Sequence, residues 1–395
     1  MNQISVLSLG YTRSILNKKS TDDSLKRMLY YSQQIEKYVV IVHSYHKHKL
    51  KRENITENFI AIPTNAFLQI DSLIRMVWLG FKILKTERMS LIQAQDPILT
   101  GVAAIFLGYM FKIPTIVLIY GPNVYDLHWR NSSFFNTLIA PIGMWVLKNA
   151  SSIQVDGQMT SRSLENQGFV AKNIHVKPMI PNNMEDFLRV NRNKIVNIEN
   201  PDNTTVKLLF VGRLEKQKNL TMLTKVIKLL VEHKYSIQVN IVGEGSQKDW
   251  FARDLNKHEI LNYVYFLGYI PHEKMYEIFA EADIFIMTSL YEGYPRVLME
   301  AAASGLPIVT TAVSGSDEAV VNEETGYIVP VNDVQTFFNK LKTLIEKPTL
   351  RTNMGCAARD HISDFLKPSF SLDKQIDIWN NYSTSLNNQV QDQSI

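Results

Sequence analysis

The sequence predicts an α/β protein made of two doubly wound domains in series. Three observations carry this. Strand-length apolar runs alternate with helix-period segments throughout, the βαβ rhythm of a parallel sheet covered on both faces. The rhythm stops once, in the polar, Asn-rich stretch from Val190 to Lys207, and then restarts. The 395 residues suffice for two or three domains of roughly 100–200 residues each.

In the first half the strand candidates are "ISVLSL", "YVVIVHS", "FIAIPT", "LIQAQD", "TIVLIY", "SSIQVDG" and "NIHVKP". Helical spacing fills Ser24 to Ile35, Asp71 to Leu84 and Phe134 to Leu147. The run Gly101 to Tyr120 is the most membrane-like, but Lys112 and Pro114 interrupt it, so it reads as a buried helix followed by a strand. After the linker come "VKLLFVGRL", "SIQVNIVGEG", "VYFLGYI", "ADIFIMTS", "LPIVTTA" and "TGYIVPV". The expected domains are 1–190 and 205–370, with a terminal helix at about 372–390 reaching back to the first.

Composition is that of an ordinary globular chain, 45% hydrophobic and 20% charged. One cysteine, Cys356, excludes an internal disulfide and a multi-cysteine metal site, as expected in a reducing compartment. The opening "MNQISVLSLGYTRS" reads as a first strand rather than a signal peptide, so a cytoplasmic location is expected. Charge is uneven: residues 1–200 hold 23 Lys and Arg against 14 Asp and Glu, while the remainder is acidic on balance. The basic half suits an anionic acceptor or a lipid headgroup surface, or is simply a solvated basic face. The histidines of "HSYHKHKLKRE", His43 to Glu53, read as a solvated basic loop rather than a metal site; with the apolar faces around "LIRMVWLGFKILK" they offer a peripheral contact for anionic membrane.

Open parallel sheets bind ligands at the carboxyl ends of their strands. In the second domain four such ends carry polar or glycine-containing loops. "LLFVGRLEKQKNL" places Gly212, Arg213 and Lys218 after a strand, a fork and a point charge for a pyrophosphate, or a solvated basic loop. "VNIVGEGSQ" brings Gly243, Glu244 and Gly245, where a bare G-x-G is weak and fits a tight turn equally well. "YFLGYIPHEKM" turns at Gly268, where backbone groups suit a nucleobase edge. "TSLYEGYPRVLMEAAASGLPIV" carries Glu292 in the loop and Glu300 within the helix. There Pro295 suits the first helical position and Gly305 the end. Carboxylates near a helix N-terminus either complement the dipole or accept bonds from ligand hydroxyls, while free N–H groups favour phosphate.

These segments resemble the retaining glycosyltransferases of the GT-B fold, family 4 in the usual sequence classification. "EGYPRVLMEAAASGLPIV" is similar to their E-x7-E signature, "FVGRLEKQKNL" to their diphosphate-binding segment, and "NIVGEG" and "FLGYIP" to the two segments between. Ala150 to Phe187 resembles the segment leading out of their acceptor domain. The resemblance implies two Rossmann-like domains facing a central cleft, an acceptor domain first and a nucleotide-sugar donor domain second.

It implies that Arg213 and Lys218 bind the donor diphosphate, that Glu300 holds ribose hydroxyls and that Glu292 contacts the transferred sugar. By the same resemblance the backbone around Gly268 and Tyr269 reads the base, and Gly293, Tyr294, Pro295 and Arg296 lie over the donor. No metal and no cofactor is implied, and no nucleic acid partner. Where many relatives have a histidine this chain has Tyr120, with Asp126 and His128 nearby as acceptor-side candidates; the glycine-rich loop after the first strand is reduced to Gly10. The implied work is polysaccharide, glycolipid or cell-envelope glycan synthesis. The alternatives are a nucleotide-sugar-binding partner without turnover and a GT-B sugar-nucleotide epimerase.

Overall fold

The computed structural model describes residues 2–17, 23–120, 124–126, 129–130, 133–178, 184–190, 205–366 and 372–391. The chain forms two compact units, one of Met1–Asp156, Thr160–Pro178 and Pro368–Ile395, the other of Gly157–Met159 and Met179–Lys367.

In the first unit, β1 (Asn2–Gly10), α1 (Asp23–Gln34), β2 (Ile35–Val42), β3 (Glu53–Asn54), β4 (Phe59–Pro63) and α2 (Gln69–Thr86) are followed by β5 (Leu91–Ala94), α3 (Leu99–Phe111) and β6 (Thr115–Ile119). Then come α4 (Phe134–Asn149), β7 (Ser152–Val155), α5 (Gln158–Glu165), whose first two residues count with the second unit, and β8 (Ile174–Val176). The eight strands lie in the order β3-β4-β2-β1-β5-β6-β7-β8, parallel except for the antiparallel edge pair β3–β4. Fully buried parallel strands need apolar side chains on both faces, and "TIVLI" is buried at all five positions.

The apolar run from Gly101 divides as its composition demands. α3 ends where Lys112 turns left-handed (φ 55°), and β6 starts three residues later. Asp96 opens α3 by accepting from the backbone N–H groups of Ile98, Leu99 and Thr100 at 2.6–3.1 Å. Among the described residues no helix is long and apolar enough to cross a membrane.

The loop His43 to Glu53 departs from a fully solvated loop. His43 is buried where β2 ends, its Nδ1 2.6 Å from Ser72 Oγ, because the loop folds back over α2. His46, Lys47, Lys49, Lys51 and Arg52 are the exposed part.

The second unit begins with α6 (Met184–Leu188), β9 (Val206–Val211), α7 (Leu220–Glu232), β10 (Ile237–Val242), α8 (Lys248–Lys257) and β11 (Val264–Gly268). It continues with α9 (Met275–Glu281), β12 (Ile284–Met287), α10 (Arg296–Ala303), β13 (Ile308–Thr311), α11 (Ser316–Ala319), β14 (Gly326–Val329), α12 (Val334–Glu346) and α13 (Pro348–Phe365). Its six strands run all parallel in the order β11-β10-β9-β12-β13-β14. The reversal of direction between β9 and β12 is the topological switch point, where such sheets hold ligands. The last helix, α14 (Asp373–Gln391), packs on the first unit's β1 and β5.

Candidate active site

Three loops at the carboxyl edge of the second sheet are tied together by their backbones. Gly212 N–H donates to Val242 O (3.0 Å), Gly243 N–H to Gly268 O (2.8 Å) and Leu214 N–H to Glu244 O (2.9 Å). A Cβ on Gly243 (φ +131°) would stand 2.0 Å from Gly212 O, and one on Gly245 2.4 Å from Leu214 O. The G-x-G pair therefore serves loop-to-loop contact, not only a turn.

The fourth loop meets this edge through side chains. Lys218 Nζ lies 2.5 Å from Glu292 Oε1, and both side chains are about nine-tenths buried, at 12% and 10% exposure. Ser289 Oγ donates to the same oxygen (2.6 Å) and Gln217 Nε2 to Oε2 (3.2 Å). One backbone bond and one hydroxyl bond hold the pair in place: Leu290 N–H donates to Gln217 O (2.8 Å) and Thr288 Oγ1 to Lys218 O (2.9 Å). The lysine stem passes over Gly212, where a Cβ would stand 2.9 Å from Lys218 Cε. Arg213 is exposed at the same edge. Glu292, read from the sequence as a carboxylate open to hydroxyls, thus accepts from three donors, two of which, Gln217 and Ser289, the sequence reading left out. Ser289 carried a signal, three residues before Glu292 at a strand end; Gln217 carried none beyond adjacency to Lys218.

Glu300 is the fifth residue of α10 and is buried. His272 Nε2 lies 3.1 Å from its Oε1, in the turn after β11. His272 sits 28 positions away in sequence, so no local pattern marks it. Pro295 caps α10 rather than occupying its first turn, because its ψ of 82° is not helical. Arg296 opens the helix, and its Nε–H is buried without an acceptor among the described residues. Tyr294 packs against Gly315, where a Cβ would come within 2.9 Å of the ring. Gly268 turns with φ +69°, Tyr269 beside it is exposed, and Gly293 is half-buried.

The acceptor-side candidates lie on the first unit. A Cβ on Gly10 would collide with the Gln95 side chain, whose Oε1 accepts from Tyr11 N–H (2.9 Å). Tyr120 follows β6 and is partly exposed. Asp126 Oδ1 accepts from Trp129 N–H (2.8 Å), a turn-capping bond. His128 lies outside the described residues.

One acid that sequence reading missed follows β13. Burial and the neighbouring Asp317 carboxyl push the Glu318 side chain up to about 8, although Gln158 N–H donates to it. The folded chain then keeps a proton that the unfolded chain releases, so stability falls as pH climbs from about 4.5 towards about 8. Glu318→Gln keeps the acceptor and removes the charge. Thermal melts of that variant across this window should show a flatter slope and, at pH 8, a midpoint raised by roughly a few degrees.

The fold and this edge define a class, a doubly wound parallel sheet with charged groups gathered at its switch point. Residues 191–361 match the family model described as glycosyl transferases group 1. A glycogen synthase of Mycobacterium tuberculosis is 32% identical over 166 residues, 42% of this chain and 40% of that protein. The match thus spans about two fifths of the relative's length. Two solved structures share the fold over nearly the whole chain. Sucrose-phosphate synthase from Thermosynechococcus elongatus has a TM-score of 0.70 at 16% identity, with 98% of each chain covered. HepE of Anabaena in complex with UDP-glucose has a TM-score of 0.66 at 15% identity, with 98% of this chain and 100% of that chain covered. The architecture is GT-B.

Proposed function

We propose that the protein is a retaining glycosyltransferase that moves a sugar from a nucleoside diphosphate sugar to a hydroxyl of a glycan or lipid-linked acceptor. The observation that carries this is the buried Lys218–Glu292 pair beside Gly212, at the switch point of a sheet with group 1 family sequence. The UDP-glucose complex of the structurally similar HepE supports the donor class.

Lys218, Arg213 and the unpaired Arg296 Nε–H supply positive charge for the diphosphate, and do so without a metal ion. Glu300, steadied by His272, accepts from ribose hydroxyls. Glu292 stands where the transferred sugar meets the diphosphate, and its hydrogen-bonded oxygens orient hydroxyls and the Lys218 ammonium together. The glycosidic bond breaks with oxocarbenium character as the diphosphate leaves. The acceptor oxygen bonds to the anomeric carbon on that same face, and its proton passes to a leaving-group oxygen. No strong protein base is needed on this route.

The test is release of nucleoside diphosphate from a panel of nucleotide sugars, with the anomeric configuration of the product read by NMR. Turnover with retention is expected. Absence of both turnover and any thermal shift with nucleoside diphosphates would sink the reading. Glu300→Ala should weaken nucleoside diphosphate binding by roughly 10- to 100-fold, the worth of one or two hydrogen bonds to a charged group. Isothermal titration measures it, and an unchanged affinity would remove Glu300 from the ribose.

A further inference from the structure

Helices α2, α3 and α4 form one layer on the first unit. α3 packs against both neighbours, and Met76, Ala104 and Ala140 from the three helices enter the same core. Their outer faces are apolar as well. Ile70, Ile74 and Trp78 recur every four residues along α2 and are 62%, 63% and 53% exposed. Phe134, Leu138 and Ile142 repeat that ridge on α4, with Trp145 beyond them, and α3 adds Phe106 and Tyr109. Thirteen of the 22 large apolar side chains exposed among the described residues lie on these helices or in the turn before α2. A solvent-facing helix is expected to be polar on this side, and an apolar patch of this extent marks a contact surface.

Charge identifies the contact. The layer carries Arg75, Lys82, Lys85 and Lys148, and Lys112 closes α3. Its one acid within a helix, Asp71, is bonded to Arg75 at 2.9 Å, and Glu87 just past α2 pairs with Lys37. Neither α3 nor α4 contains an acidic residue. The Lys82 ammonium lies 3.6 Å from the centroid of the Trp78 ring, and that of Lys85 4.6 Å from Phe81. A second copy of this face would set lysine against lysine. An anionic headgroup layer over hydrocarbon accepts both the ridges and the cations.

We propose that the α2–α3–α4 layer is a docking surface for an anionic lipid bilayer, with Trp78 and Trp145 at headgroup depth. It lies on the opposite unit from Lys218 and Glu292, so it stands apart from the donor reading. It also relocates the membrane contact read from the sequence. The stretch Leu73 to Lys85 stays, buried His43 drops out, and the α4 ridge enters.

The full-length chain should co-sediment with phosphatidylglycerol–phosphatidylcholine vesicles at low salt, bind phosphatidylcholine alone far more weakly, and come off at high salt. In the unaltered chain, brominated lipid should quench tryptophan fluorescence. Ile142→Glu combined with Trp145→Glu should weaken vesicle binding about tenfold or more, while Trp250→Glu, an exposed site on α8, leaves it unchanged. A far-UV circular dichroism spectrum and melt that match the parent's certify that the double variant is folded. The proposal is overturned by no sedimentation with anionic vesicles at low salt, by equal binding of the double variant, or by a dimer in light scattering that the double variant dissolves.

Discussion

Lys218→Ala should lower kcat/KM by about 10²–10³-fold, or ~3–4 kcal/mol of transition-state stabilisation. Two losses combine. The ammonium that meets the departing diphosphate is gone, and negative charge grows there only as the bond breaks. The buried Glu292 carboxylate also loses its counterion at 2.5 Å and keeps only the neutral donors Ser289 and Gln217. Lys218→Arg restores charge but not shape, since a planar fork replaces a point charge over Gly212, and should recover only part of the rate. Glu292→Gln separates the two losses: it leaves Lys218 unpaired and free to reach the diphosphate, so nucleotide affinity should hold while turnover falls. Steady-state kinetics with titration of nucleoside diphosphate measures both. A Lys218→Ala rate within about threefold of the parent would end the assignment.

How much of this was legible in the sequence depends on distance along the chain. Each parallel strand announces itself as a short apolar run, and the break at Val190 to Lys207 shows where one rhythm ends. The two-residue β3 strand gives no such signal, because a polar edge pair carries no apolar run. Gly212, Lys218 and Glu292 stood out as glycine and charge in loops after apolar runs, and Glu300 as an acid among alanines. What the sequence does not contain is their partnership. Lys218 and Glu292 lie 74 positions apart and meet only because β9 and β12 are neighbours in the sheet. His272 reaches Glu300 from the turn after β11, 28 positions away in sequence. Asp126 shows the same limit locally: its carboxylate caps a turn at Trp129, and residue type alone does not separate that role from a ligand-binding one.

Trp379→Ala should be the most damaging single change to stability. Trp379 is fully buried on α14 among Tyr31 and Tyr38, with ring centroids 5.3 and 5.7 Å away. Its Nε1–H donates to Gln93 Oε1 at 2.8 Å, and one turn earlier Gln375 exchanges two bonds with buried Gln154. Truncation leaves a cavity the size of an indole and an unpaired Gln93 oxygen in the core. Burial of this kind is worth roughly 3–5 kcal/mol, which at about 2–4 °C per kcal/mol lowers the first unit's melting midpoint by some 6–20 °C. Trp379→Phe keeps most of the packing and loses the N–H, so about 1–3 kcal/mol should go. The second unit makes no use of this ring: a melt followed through nucleoside diphosphate stabilisation should shift far less than one followed through first-unit fluorescence. If both variants melt within about 1 kcal/mol of the parent, α14 does not hold the first sheet together through Trp379.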